Sequence, residues 1–268
     1  MGKWNREIEK AASILAESKY ATATCGAGVS AESSIPTFRD PGGIWDRLDP
    51  SEVGTVSGLI NTLERKSDLL LPFFFDFLDT FERAEPNPGH YAIASLEKKG
   101  VLKSVITQNV DNLHQEAGTK NLIEVHGNFF RMACLSCNHK NTVDRKLFIK
   151  KIRNKLKSLT TFDLGSFISF AVNCEQCNKI MRPDVVMFGE AVQELPAAFN
   201  VSEKSDVMLV LGTSGVVYPA AYFPIKAKEA GAKIIIINPN ENPFPGHTDV
   251  YIPLKTGEAM PAILKLIS

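Results

Sequence analysis

The chain has 268 residues, 44% hydrophobic and 22% charged, enough to bury a substantial core as one large domain or as a domain carrying a smaller insert. Its 30 basic and 30 acidic residues cancel, so no global field draws it to nucleic acid or to an anionic membrane, and direct nucleic-acid binding is not expected. No apolar run reaches the length of a membrane span, which makes a soluble cytoplasmic protein the expectation.

Residues 1–18 predict an amphipathic helix without the apolar centre of a signal peptide, and Arg6 stands where a myristoylation motif would carry Ser or Thr. An apolar β-type run follows and opens into Gly26-Ala27-Gly28-Val29-Ser30-Ala31, a G-x-G-x-x-A match. Gly26 permits a tight turn, Gly28 lets backbone N–H groups approach an anionic ligand, and Ala31 permits close helix packing, as a pyrophosphate loop requires. Glycine turns after strands are common, however, and no acidic residue about 20 positions on closes a clear second strand to hold a ribose. The motif alone leaves dinucleotide binding open. Cys25 beside it reads as a small buried residue. Residues 49–85 break the pattern and contain LLLPFFFDF at 69–77, which reads either as core or as the lining of an apolar ligand channel.

Residues 88–98 predict a helix with Asn87 as N-cap, Pro88 in the first turn and Gly100 as its stop. The runs 101–107 (VLKSVIT), 207–211 (VMLVL) and 233–237 (KIIII) predict strands covered on both faces. Each ends in a polar loop: Gln108-Asn109-Val110-Asp111, Gly212-Thr213-Ser214 and Asn238-Pro239-Asn240. Strands alternating with helices predict an α/β fold with a doubly wound parallel sheet, whose ligands bind beyond the carboxyl ends of the strands. A second interruption, residues 131–182, holds Cys134-x-x-Cys137 and Cys174-x-x-Cys177 with 36 residues between the pairs. Four thiolates in this spacing suit one tetrahedral Zn²⁺ with no position left for water, hence a structural ion; redox pairs or disulfides are the alternatives. Residues 145–157 predict an amphipathic helix with seven basic residues and no acid, read as a solvated face or as a dock for an acidic or nucleic-acid partner. Five histidines are present, and spacing alone does not choose between His114 and His126 as a base.

Taken together, GAGVSAESSIPTFR at 26–39, GGIW at 42–45, Pro86-Asn87 with His90, TQNVDNLH at 107–114, Val125-His126-Gly127, the two C-x-x-C pairs, RPDVVMFGE at 182–190, GTS at 212–214 and NPN at 238–240 resemble the sirtuins, in that family's order. The resemblance covers nearly the whole chain. It implies an NAD-dependent protein lysine deacylase with a Rossmann-like dinucleotide-binding domain (residues 1–48, 87–130 and 183–268), a helical apolar insert (49–86) and a smaller zinc-binding insert (131–182).

By that resemblance Gly26, Ala27, Gly28 and Arg39 surround the pyrophosphate of NAD, with Ala31 and Trp45 in the matching motifs. Phe38 covers the nicotinamide pocket. Gln108 and Asn109 meet the ribose, and Val110 with Asp111 hold the nicotinamide carboxamide. Gly212, Thr213, Ser214, Asn238, Pro239 and Asn240 lie at the adenosine end, with Thr256 a less secure match. Val185, Val186, Phe188, Gly189 and Glu190 form an extended edge for an acylated lysine peptide. The acyl oxygen of that lysine is implied to displace nicotinamide, after which His126, as general base, lets the acyl group migrate to the ribose. The wording SAES is closest to the branch that removes succinyl and malonyl groups, but the Tyr-x-x-Arg pair of that branch is missing between Trp45 and Pro86. Neutral acyl groups, acetyl above all, are therefore expected. Protein ADP-ribosyl transfer or NAD hydrolysis on the same fold, or desuccinylase or long-chain deacylase specificity, is the alternative.

Overall fold

The computed structural model describes residues 4–38, 43–159 and 161–267. Among them the strands are, in chain order, β1 (Ala21–Cys25), β2 (Leu102–Thr107), β3 (Leu122–Glu124), β4 (Gly127–Cys134), β5 (Lys140–Thr142), β6 (Val172–Asn173), β7 (Ile180–Val185), β8 (Val207–Leu211), β9 (Lys233–Ile237) and β10 (Val250–Ile252). Six form an all-parallel sheet in the order β10-β9-β8-β1-β2-β3. From β1 the chain steps through β2 and β3 on one side, then later through β8, β9 and β10 on the other. The order therefore reverses between β1 and β8, where a doubly wound sheet opens a ligand crevice.

The runs of β-branched and aliphatic residues become central strands because both faces are covered. Leu209, Leu211, Ile235 and Ile237 pack with Ala21, Ala23 and Cys25 under helices Asn5–Glu17, Pro88–Lys98 and Thr256–Leu266. Met208, Val210, Ile234 and Ile236 face the other way, onto Ala198 of helix Leu195–Lys204 and onto Phe223 and Ala227 of helix Tyr222–Glu229. Each fully buried isoleucine contributes about 1.5–3 kcal/mol of transfer free energy. The helix at 88–98 forms as expected: Asn87 Oδ1 accepts the Gly89 N–H at 2.9 Å, and Gly100 sits at φ +76° just beyond its end. Helix Asn5–Glu17 turns Ile8, Ala11, Ala12 and Leu15 inward.

A second sheet is antiparallel, in the order β5-β4-β7-β6, and carries the four cysteines at one end. Over it pack the helices Val56–Arg65, Ser67–Arg83, Arg145–Lys157 and Leu164–Ile168. The two interrupting segments share one core. Leu70, Leu78 and Phe81 from the first meet Ile149, Leu156 and Phe162 from the second, with Phe130 of β4 beneath. Phe74 stacks edgewise on Phe162 at 5.6 Å, and Phe77 on Phe129 at 5.0 Å. Of the two readings for residues 69–77, core accounts for Leu70, Phe74 and Phe77.

The basic helix is also tied down more than its composition predicts. Arg145 is buried, donates to the carbonyls of Phe81 (3.1 Å) and Ala84 (2.6 Å), and pairs with Glu116 at 2.9 Å. Arg153 pairs with Asp79 and Glu82, and Lys155 donates to the Ser169 carbonyl at 2.7 Å. Lys146, Lys150, Lys151 and Lys157 stay exposed. No helix among the described residues is long and apolar enough to cross a membrane.

Candidate active site

The loops after β1, β2, β8 and β9 all emerge on one side of the parallel sheet. The first meets the third through backbone alone. Gly26 N–H donates to the Leu211 carbonyl (2.9 Å) and Gly28 N–H to the Gly212 carbonyl (2.8 Å), while a Cβ built on Gly28 would stand 2.8 Å from Gly212 Cα. Gly212 itself has φ +54°. The glycines thus serve first to splice the two halves of the sheet at the switch point. The segment beyond them differs from the expected helix. Residues Ala27–Val29 and Ala31–Ser33 form two 3₁₀ turns, and Ala31 is exposed, so it packs no helix. Ser34 at φ +63°, followed by Pro36, ends the helical path.

Ser30 is fully buried at the centre of a polar cluster. Its hydroxyl donates to Asp111 Oδ2 at 2.6 Å and accepts from Asn109 Nδ2 at 3.1 Å. His90 Nε2 lies 3.3 Å from the same oxygen, and the backbone N–H of Asn87 points at His90 Nδ1 at 3.3 Å. That Nδ1 accepts, so Nε2 carries the proton toward Ser30. Burial holds the His90 imidazole down to about 4. His114 stacks edgewise on His90 at 4.9 Å, and burial together with that neighbour brings it down to about 3. Asp111 moves the other way: burial raises its carboxyl above the usual range against the Ser30 and Leu113 hydrogen bonds. Ser30 and His90 escaped the sequence reading as site residues, although both stood in motifs it quoted. Only their meeting in space marks them.

His126 sits between β3 and β4, at the seam of the two lobes. Its Nδ1 lies 3.1 Å from the Gln108 carbonyl, which can only accept, so Nδ1 carries the proton and Nε2 is left as the acceptor. Burial holds this imidazole below its ordinary value, partly offset by the Gln108 bond. Gly127 follows at φ +79°, where a Cβ would stand 1.8 Å from the Asp184 carbonyl, so only glycine brings β7 this close. Of the two candidate bases, His114 is fully enclosed, whereas His126 stands at the seam of the lobes.

The Gln108 to Asp111 loop is tied at every residue. Gln108 N–H donates to the Cys25 carbonyl at 2.9 Å, and its side chain reaches Thr213 Oγ1 at 3.3 Å. Asn109 N–H bonds Thr107 Oγ1 at 3.1 Å, and the Val110 carbonyl accepts from Phe129 N–H at 2.9 Å. Asn238 is buried and donates to the Thr213 carbonyl at 2.9 Å, whereas Ser214, Pro239 and Asn240 are exposed beside it. Thr256 is buried at the start of its helix, next to Gly257, whose N–H donates to Glu32 at 2.7 Å. Phe38 is 39% exposed, Trp45 lies on the short helix Ile44–Arg47, and Arg39 lies outside the described residues.

Along the expected substrate edge, Val185 pairs with Gly127, and Val186 N–H donates to the His126 carbonyl at 2.9 Å. Phe188 N–H donates to Gly54 at 2.8 Å, and Gly189 turns at φ +87°. Glu190 grips Arg182 through both oxygens (2.6 and 2.7 Å) and takes the Met187 N–H at 2.9 Å. Three successive amides, 186 to 188, are thus already donated within the chain.

The four cysteine sulfurs lie within 4.8 Å of one another and form no disulfide. Cys134 and Cys177 are 3.5 Å apart, and Cys137 and Cys174 are 3.6 Å apart. A tetrahedral Zn²⁺ with bonds of about 2.3 Å would set sulfurs about 3.8 Å apart, so the cluster fits that ion. Each knuckle closes through an asparagine of positive φ, Asn138 at +58° and Asn178 at +57°.

A parallel sheet whose switch point is lined by glycine backbone and amide side chains, with an imidazole at the seam of a four-thiolate lobe, defines an enzyme built around a bound dinucleotide. The Sir2 family profile matches residues 26–219. The chain is 51% identical to an NAD-dependent protein deacylase of Desulfosudis oleivorans, over 97% of this chain and 95% of that one. It is 42% identical to a protein of the same description from Pyrococcus abyssi, over 96% of each. Among solved structures, a Sir2 homologue in complex with NAD superposes with a TM-score of 0.77 at 37% identity, covering 97% of this chain and 93% of that chain. The chain belongs to the Sir2 family.

Proposed function

We propose that this protein is an NAD-dependent protein-lysine deacylase in which His126 is the general base and neutral acyl groups, acetyl first, are the preferred cargo. The observation that carries the reading is the His126–Gln108 contact, which presents an unprotonated Nε2 at the seam between the lobes. NAD is consumed as a co-substrate. Asp111 and Asn109, held in place by Ser30, offer carboxylate and amide oxygens to a carboxamide, and the glycine loop with Thr213 and Asn238 offers backbone and amide groups to the remainder. When the lysine acyl oxygen has displaced nicotinamide, His126 takes the proton of a ribose hydroxyl so that the acyl group migrates to the sugar. Water then adds to the migrating acyl carbon and the C–N bond breaks, so that free lysine and an O-acyl-ADP-ribose leave. The zinc, held by Cys134, Cys137, Cys174 and Cys177, supplies only folding energy. Free thiols as ligands fit a reducing, cytoplasmic setting.

The acyl preference rests on charge. Arg65 ends helix Val56–Arg65 and is exposed, and Phe74, Phe75 and Phe77 are spent in the small-lobe core. A succinyl carboxylate would be desolvated with no buried cation supplied from there, at a cost of several kcal/mol. Acetyl-, succinyl- and long-chain acyl-lysine peptides incubated with NAD test this. kcat/KM for acetyl-lysine should exceed that for succinyl-lysine at least about tenfold, and mass spectrometry should detect O-acetyl-ADP-ribose. A succinyl preference would overturn the acyl assignment. NAD cleavage with no acyl transfer would favour the hydrolase or ADP-ribosyltransferase alternative.

A further inference from the structure

Beneath His126 lies a chain of charges that neither the cofactor loops nor the cysteine cluster requires. Arg131 of β4 donates through Nε to Asp184 Oδ2 of β7 at 2.7 Å and through a terminal nitrogen to Glu124 of β3. Asp184 also accepts from Lys140 of β5 (2.8 Å) and from Gln193 (2.8 Å), and Glu124 accepts from Asn128 (2.7 Å) and Gln115 (2.6 Å). The carboxylates are nearly enclosed, at 6% side-chain exposure for Asp184 and 12% for Glu124. Burial opposes ionisation of Asp184, but its bonds to Lys140, Arg131 and Gln193 hold the carboxyl below the usual range.

The geometry matters because His126 lies between these anchors. Glu124 is two residues before it, and Asn128, which pairs with Asp184, is two residues after. Gln193 N–H also takes the Val125 carbonyl at 3.0 Å, and Val186 N–H takes the carbonyl of His126 itself. From the parallel-sheet lobe come the Thr107 carbonyl to Val125 N–H (3.1 Å), the Gln108 carbonyl to the ring, the Val110 carbonyl to Phe129 N–H (2.9 Å) and Asn112 Oδ1 to Asn128 (2.9 Å). We propose that Glu124, Arg131 and Asp184 are positioning residues for the base, a charged strut that fixes the His126 segment to the cysteine-bearing sheet and so sets where its Nε2 stands.

The inference rests on His126 being the base of the acyl-migration step. A positioning defect should then slow that step while sparing nicotinamide displacement, whereas a merely structural defect should slow both. The test uses full-length Arg131→Met and Asp184→Asn, the latter nearly isosteric in case the former folds poorly, with Arg131→Lys as the conservative variant. Each is measured for zinc per chain, for exchange of labelled nicotinamide into NAD, and for deacylation. Deacylation should fall about tenfold or more in Arg131→Met and Asp184→Asn, with exchange and zinc content unchanged. Arg131→Lys, keeping one of the two ion pairs, should recover part of the loss. Added to His126→Ala, Arg131→Met should cause no further loss, since both act through one group. Equal falls in both rates, loss of zinc, or no fall at all in either variant would overturn the positioning role. Full deacylation by His126→Ala would instead refute the base assignment beneath it.

Discussion

The hydroxyl of Ser30 donates to Asp111 Oδ2 at 2.6 Å, joining the loop after β1 to the loop after β2 at a point sealed from solvent. Ser30→Ala leaves a buried carboxylate oxygen without that donor, which costs about 1–3 kcal/mol. The variant should melt lower and bind NAD more weakly, by thermal unfolding and calorimetric titration. Unchanged affinity would show that the corner does not face the co-substrate.

His126→Ala should lose about 10²-fold or more in deacylation while NAD binding and zinc content stay at wild-type levels. Since burial depresses this imidazole, the acid limb of the wild-type kcat/KM profile should have its midpoint below about 6.5, the unperturbed value. An acid limb centred above that value would mean another group is titrating.

His90 and His114 are held neutral, at about 4 and about 3, against about 6.5 in the unfolded chain. The unfolded state therefore binds protons first. Their effect is absent above about pH 6.5, and stability falls as pH drops from there toward 4 and 3, by at most about 1.4 kcal/mol per pH unit for each ring. The raised Asp111 carboxyl works in the opposite sense. Urea midpoints from pH 7 to pH 5 should fall in wild type and fall less in His114→Phe. Parallel slopes would exclude the pair as the cause.

One zinc per chain is expected by elemental analysis of protein purified without chelator, and Cys177→Ser should lose it. Because the thiolate cluster closes the end of the β5-β4-β7-β6 sheet, its loss should destabilise that lobe first. Hydrogen exchange should rise in β4 to β7 before β1 or β8.

The parallel sheet was legible where periodicity is strongest. The strands at 207–211 and 233–237 stand at the expected residues, and the helix at 88–98 has its expected cap. Short strands such as β3 and β10, three residues each, carry too little pattern to be seen. The zinc cysteines were readable from spacing, because two C-x-x-C pairs leave few alternatives. The close helix packing expected at Ala31 does not occur because turns of Ser and Pro compete there, and the buried role of Arg145 was missed because a charge run says nothing about what folds over it. Ser30, Arg131 and Asp184 owe their setting to contacts far apart in sequence, which no local pattern encodes.

The shared phenylalanine core also has a consequence during synthesis. Phe74 and Phe77 leave the ribosome well before Phe162 and the helix Arg145–Lys157 that cover them. Through that interval the nascent chain carries an uncovered aromatic helix, the kind of surface that chaperones bind and that aggregates when they do not. Crosslinking of a ribosome-associated chaperone to stalled chains should therefore be strongest when the chain ends between the two interrupting segments, and should fade once the second has emerged.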